Sequence, residues 1–265
     1  MINVKKTLLY RTINLLWTEI NDFLITLGNI GKDFLCVAKT LTTLKVDKKA
    51  LIEQCARFSV DSLPITLTIV AMTSIIIAMQ IAPELAKQGA GNYVGSLSAL
   101  VMVRELSAIM SGFAIISMIG SSYASEIASM AVTEQISAMR VLKVDPIEYL
   151  IVPRFLSGVV MMPFVVIVST FCGLICAAVI SNITAEITYL NFISSMWHGL
   201  FIKDIFVALL KSSFFGGTIA LISCSCGYST RGGALEVGIS TTRAVVWSFV
   251  AIAIWDYIFA TVFYL

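Results

Sequence analysis

Charge is scarce in this 265-residue chain: Asp, Glu, Lys and Arg make up 13% of it, against about a quarter of an ordinary soluble domain. A soluble fold, which needs charged residues to cover its surface, is excluded on that ground. Histidine occurs once, as His198, which removes most histidine-based metal or triad chemistry. The six cysteines do not make up for it. Cys224 and Cys226 form C-x-C, Cys172 and Cys176 stand four apart in an apolar run, and Cys36 and Cys55 stand alone. The paired C-x-x-C spacing of a zinc site is missing. No G-x-x-x-x-G-K-[ST] loop occurs, so the chain does not hold ATP in the usual P-loop manner. Neither a catalytic residue nor a metal site is expected, and any nucleotide energy must enter through another subunit. The N-terminus also lacks the form of a signal peptide, because Arg11 and Glu19 interrupt its apolar region and no small-residue cleavage site follows.

What the chain has is apolar length. Hydrophobic residues make up 58% and the mean hydropathy is +0.93. Runs without Asp, Glu, Lys or Arg cover 62–83, 106–125, 155–185 and 212–230, and the tail from Ala244 to Leu265 carries a single acid, Asp256. A membrane-spanning helix needs roughly 20 mostly apolar residues. The expectation is an all-α polytopic membrane protein with five transmembrane helices. Residues 1–57 hold nine Lys/Arg against five Asp/Glu, which sets the N-terminus in the cytoplasm. Alternation then puts 84–92 and 183–202 outside, and 126–152 and 227–243 inside. Arg140, Lys143, Arg154, Arg231 and Arg243 fall inside, Lys87 and Lys203 outside. Within the first 57 residues, Leu9, Ile13, Leu16, Ile20, Phe23, Leu27, Ile30 and Phe34 recur at steps of three and four. That is the pattern of an amphipathic helix lying in the cytoplasmic interface, or of one packed on its own protein. The domains expected are therefore an N-terminal interfacial region, 1–57, and a transmembrane region, 58–265.

One polar stretch interrupts the grease: EIASMAVTEQISAMRVLKVDPIEYLIVPR, 126–154. On a helical wheel Glu126, Ser129, Thr133, Ser137 and Arg140 share a face, while Ile127, Ala131, Ala138 and Leu142 share another with Val132, Ile136 and Met139. Then Asp145-Pro146-Ile147-Glu148 reads as a fresh helix start, with Asp as cap, Pro at the first position and Glu reaching back. Pro153 and Pro163 follow inside the new helix, where each removes a backbone hydrogen bond. A plain connector does not need four amphipathic turns and a capped restart, so this segment reads as a docking element for a cytoplasmic partner.

These residues carry a resemblance. Arg104-Glu105-Leu106, Ser125 to Met130, Thr133 to Met139, Val144-Asp145-Pro146 and Pro153-Arg154 are similar to the signature of the MlaE/YrbE-type permeases. In the last third Asp204, Lys211, Phe215-Gly216, Cys224, Gly227, Arg231 to Ala234, Val237-Gly238, Thr241 to Val246 and Asp256 resemble it too. The likeness runs from about Asp61 to the C-terminus. It implies the membrane subunit of an ABC transporter that moves phospholipids between a bacterial inner membrane and the outer membrane, or its counterpart in the plastid inner envelope. It also implies partners: a second copy of the chain, ATPase subunits holding ATP and Mg, and a periplasmic lipid-binding protein with an MCE domain, with no nucleic acid. By the same resemblance 126–142 is the coupling helix resting on the ATPase. The residues assigned to coupling are Glu126, Met130, Thr133, Glu134, Gln135, Ala138, Arg140, Asp145, Pro146 and Arg154. Ala108, Met118 and Ala128 depart from the family's usual Pro, Arg and Gly, and the missing Pro suggests a straighter second span.

The resemblance also gives the intramembrane charges a role. Counted from Tyr93, Arg104 and Glu105 lie about eleven residues, on the order of 15 Å, into the second span. Such residues cost roughly 2.5 to 3.5 kcal/mol each to insert and therefore face a cavity or a partner. Adjacent residues of a helix do not face each other, so their mates lie elsewhere, with Lys211, Asp204 and Asp256 available. The expectation is that Arg104 and Lys211 engage a lipid phosphate in an outward-facing cavity while Glu105 and Asp204 hold them. Ion pairs that only fix helix packing are the alternative. The apolar walls suit a lipid: exposing roughly 30 methylenes of two acyl chains at ~0.8 kcal/mol each would cost about 24 kcal/mol. Two other functions compete. An ion-coupled transporter would use Gln80, Glu105 and Asp256 as a relay but should show inverted repeats with broken helices, which this sequence lacks. A membrane scaffold would have no reason to bury Arg104 and Glu105.

Overall fold

The structure is a computed structural model that describes residues 48–264 together with Gly28 and Gly31. The amphipathic helix expected over 9–34 lies outside the described residues. From Lys48 on, the described chain belongs to one compact unit and contains helices and no strand. Among the described residues five helices are long and apolar enough to cross a membrane: Lys48–Lys87, Gly91–Val132, Ile147–Ala185, Ile202–Tyr228 and Ala234–Tyr264. They are called the first to fifth spans below. Each reaches past the charge-free run that announces it, because lysines, acids and tyrosines at the ends of these helices extend them toward water. Helical structure is continuous through Arg57 as a π turn, Arg57–Asp61, where the sequence sets the edge of the interfacial region.

The second span is not a plain α-helix. It relaxes into π geometry at Met102–Leu106 and again at Ile116–Gly120, so the absent proline at Ala108 does not leave it regular. A π turn adds a residue to a helical turn and often marks a functional position; the first of these carries Arg104 and Glu105. In the third span the π turn Ile147–Ile151 precedes Pro153, whose missing amide loosens the hydrogen-bond ladder there. The α-helix Val152–Ala185 then continues through Pro163.

The 183–202 segment contains a further helix, Tyr189–Gly199, which buries Phe192 and Ser195. Ser195 Oγ accepts the Ser96 amide at 3.0 Å, so this helix packs on the first turns of the second span. The expected four-turn helix over 126–142 is divided. The second span ends at Val132, Glu134 takes a left-handed φ of 60°, and a separate short helix runs over Gln135–Val141. Neither Gly nor Pro marks this break, and the amphipathic period runs across it unchanged. The left-handed residue costs on the order of 1–2 kcal/mol.

The fourth span is the most buried and the fifth the least. The fourth meets the third at Gly158 and Gly216, where a Cβ on Gly216 would come within 2.1 Å of the Gly158 carbonyl and one on Gly158 within 2.5 Å of the Gly216 carbonyl. Only two glycines allow so close a backbone crossing, the close approach that drives helix association in lipid. Buried hydroxyls add interhelical bonds: Ser74 Oγ donates to the Gly173 carbonyl at 2.6 Å and Ser111 pairs with Ser169 at 3.1 Å. The fifth span presents Val246, Val250, Ile254 and Val262 outward, as expected where hydrocarbon is the solvent.

Candidate functional site

The π turn Met102–Leu106 aims two adjacent charges at two different helices. The Arg104 guanidinium donates from Nε and Nη2 to the two oxygens of Asp204, at 3.0 and 3.3 Å, and lies 4.5 Å from the Tyr264 ring centre. Asp204 sits in the first turn of the fourth span, where its Oδ2 also accepts the Phe201 amide at 3.2 Å. An acid there both caps the helix and complements its dipole. Two turns further along the same helix, Lys211 donates to Glu105 Oε2 at 2.6 Å and to the Arg104 carbonyl at 3.2 Å, and pairs with Asp256 of the fifth span.

The five charged residues singled out in the sequence, Arg104, Glu105, Asp204, Lys211 and Asp256, therefore meet, and the mates sought for Arg104 and Glu105 are Asp204 and Lys211. Arg104 is level with the first turn of the fourth span and with Tyr264 near the end of the fifth. The first turns of the second span pack on the helix Tyr189–Gly199, with the Gly95 Cα facing the Phe192 backbone. Lys211 and Asp256 extend the cluster toward the middle of the fourth and fifth spans.

Its charges do not balance: two cations face three carboxylates. The side chain of Lys211 is fully buried, while those of Arg104 and Glu105 are 28% and 33% exposed. Arg104 thus keeps donor capacity on an open side, and the ammonium of Lys211 is surrounded by its partners. Gln80, the third member of the alternative relay, lies exposed on the first span. Tyr264 lies 160 positions after Arg104 in the chain, so no local pattern in the sequence ties the two together.

A second cluster, at the other end of the second span, clasps the first three spans together. Glu126 accepts Arg57 Nη2 at 2.5 Å and Arg154 Nη2 at 3.1 Å. Arg57 also donates to Ser122 at 2.8 Å, Arg154 donates to the Leu150 carbonyl at 2.9 Å, and Arg154 lies 5.3 Å from the ring centre of buried Tyr123. Of the residues assigned to coupling, Glu126 and Arg154 therefore point into the bundle, Met130 is half-buried and Pro146 is buried. Thr133, Glu134, Gln135, Ala138, Arg140 and Asp145 are exposed. Arg57 and Tyr123 were not singled out in the sequence, since nothing local ties them to Glu126.

The segment between the second and third spans is held by its own bonds. Asp145 Oδ1 accepts the Ile147 amide at 2.9 Å, the cap expected of it, whereas Glu148 makes no return bond to it among the described residues. Gln135 donates to Thr133 at 3.0 Å, Ser137 donates to the Glu134 carboxylate, and Arg140 donates to the Tyr228 hydroxyl. That last bond holds Arg140 above its ordinary pKa. The exposed apolar side chains Val141 and Leu142 follow directly.

A family model described as "Permease MlaE" matches residues 51–262. The chain is 36% identical over 210 residues to a "Probable ABC transporter permease protein" of Synechocystis, covering 79% of this chain and 80% of that one. A similarly named protein of Pyropia yezoensis is 35% identical over 218 residues, covering 82% and 83%. "Protein TRIGALACTOSYLDIACYLGLYCEROL 1, chloroplastic" of Arabidopsis thaliana is 34% identical over 220 residues, covering 83% of this chain and 63% of its own length.

Proposed function

The chain belongs to the MlaE permease family, and on that premise we propose that this multi-pass ABC transporter permease moves phospholipid between a bacterial inner membrane and the outer membrane. ATP and Mg are held by separate ATPase subunits, two copies of the permease form the pathway, and an MCE-domain protein receives or delivers lipid on the outer side. That one relative bears the name of a galactolipid supports a lipid cargo.

The observation that carries the reading is Arg104. A guanidinium fixed by a two-point bond to Asp204 and stacked on Tyr264 still has donors on its open side. Guanidinium is the side chain suited to a phosphate oxygen pair. Arg104 takes the headgroup phosphate, and Lys211 locks Glu105 and Asp256 behind it. The acyl chains stay against the apolar helices and never cross water. At the other end, the short helix Gln135–Val141 with exposed Val141 and Leu142 rests on the ATPase, and the Glu126 clasp passes its movement to the first and third spans.

The test is mass spectrometry of lipids and proteins that copurify with the tagged chain and with its Arg104→Gln and Glu134→Lys variants. Phospholipid lost only in the first and a P-loop ATPase lost only in the second support both ends of the reading. A wild-type protein carrying neither overturns it.

A further inference from the structure

Beyond the short helix lies a cleft of about 360 Å³ that two separate cytoplasmic segments build together. Glu134, Ile136 and Arg140 line one side; Tyr228, Arg231 and Gly232, between the fourth and fifth spans, line the other. The two sides are tied where Arg140 donates to the Tyr228 hydroxyl. The far wall is stiff. Thr230 is buried, its hydroxyl donating to the Cys226 carbonyl at 3.0 Å, and Ser240 donates to the same carbonyl at 2.7 Å. Gly232 holds a φ of 126°, which a side chain rarely tolerates. Arg231 is therefore exposed on a fixed turn, and it makes no ion pair among the described residues. Glu134, the carboxylate of the lining, is already bonded to Ser137.

Two guanidiniums facing one cleft call for an anion, and arginine binds carboxylate by two parallel bonds. Anionic lipid is a poor match. Residues 133–146 and 229–236 carry Arg140, Lys143 and Arg231 against Glu134, Asp145 and Glu236, a neutral surface, whereas lipid headgroup recognition from the cytoplasm uses clusters of roughly four to eight Lys/Arg. Bare apolar side chains adjoin the lining residues in the chain: Val141 and Leu142 follow Arg140, and Leu235 follows Gly232 by three, at 83%, 75% and 77% exposure. Two cleft arginines close in the chain to exposed apolar side chains fit a protein interface, where Arg is enriched and hydrophobic contacts exclude water around it.

We infer that this cleft receives an Asp or Glu side chain of the ATP-binding partner, with Arg231 and Arg140 as its two cationic contacts. The inference rests on the coupling function proposed for the short helix. It adds the fourth-to-fifth span turn as a second docking segment, so that the partner grips the second and fifth spans at once.

The experiment is co-expression of the chain with its ATPase subunit, followed by retention of the ATPase on the tagged permease across a salt series. Arg231→Glu, Arg231→Gln and Glu134→Lys are compared, each first checked for wild-type size and melting in detergent. Arg231→Glu is expected to weaken retention roughly thirtyfold or more, Arg231→Gln to weaken it less and flatten its salt dependence, and reversal of one acidic residue on the ATPase to restore binding to Arg231→Glu. Retention unchanged in both Arg231 variants but lost in Glu134→Lys overturns the cleft and leaves the coupling helix standing. If Arg231→Glu instead loses a copurifying anionic lipid and keeps the ATPase, the occupant is a headgroup and the inference fails. Absence of ATPase from the wild-type permease overturns both readings.

Discussion

Replacing Lys211 with Met removes the cation that Glu105 and Asp256 share while keeping the length of the side chain. Two carboxylates are then left facing each other beside the Arg104 carbonyl, with no donor between them. Breaking a buried ion pair by deleting one partner costs about 3–5 kcal/mol. Glu105 is 33% and Asp256 19% exposed at the side chain, so water or a proton relieves part of this, and the low end, ~3 kcal/mol, is expected. For a chain of this size that lowers the melting midpoint by about 6–12 °C. The Arg104–Asp204 pair is not disturbed. The triple variant Glu105→Gln, Lys211→Met, Asp256→Asn leaves no orphaned charge, and similar replacements of buried ion groups are neutral or stabilising, so its midpoint should return to within about 1 kcal/mol of the wild type. Loss of monodisperse protein on heating in detergent, followed by tryptophan fluorescence, measures all three. A Lys211→Met midpoint equal to wild type would refute the reasoning. If bound phospholipid were then lost without any change in melting, Lys211 itself would be the headgroup ligand.

Gly216→Ala should sharply lower the yield of folded protein, because its Cβ would meet the Gly158 carbonyl at 2.1 Å; overpacking costs about 1–3 kcal/mol or more. Gly238→Ala, with nothing within 4 Å of the new carbon, should match the wild type in the same expression and size-exclusion assay. Glu126→Gln leaves Arg57 and Arg154 without their shared acid and should lower the melting midpoint more than Arg57→Met, which keeps the Arg154 bond. Asp145→Ala removes the acceptor of the Ile147 amide and should cost about 1 kcal/mol, with protease nicking near 143–147 as its readout.

The spans were plain in the sequence because hydrocarbon imposes a simple demand: about 20 residues without charge, every backbone group bonded within its own helix. The same logic exposed the site. A charge in such a helix is expensive enough that Arg104, Glu105, Lys211 and Asp256 stand out singly, and their need for mates limited the pairings before any coordinates were known. The cap at Asp145 was legible for a different reason, since it depends on a hydrogen bond only two residues long.

Other features depend on contacts between residues far apart in the chain, and no local pattern carries them. Arg57 lies 69 positions before Glu126, and Arg140 lies 88 before the Tyr228 that it bonds. The break at Glu134, a left-handed residue, falls in an unbroken amphipathic period, so the pattern does not mark it. The second span's first turns pack on the helix Tyr189–Gly199, which the sequence shows only as a loop. By itself, then, the sequence determined the solvent of this protein, its five crossings and which ions must find partners, because those follow from transfer free energies residue by residue. Tertiary structure alone decided which ion met which, at what height, and which arginines were left open to another molecule, because these depend on how whole helices cross, and two glycines set that crossing for the third and fourth spans.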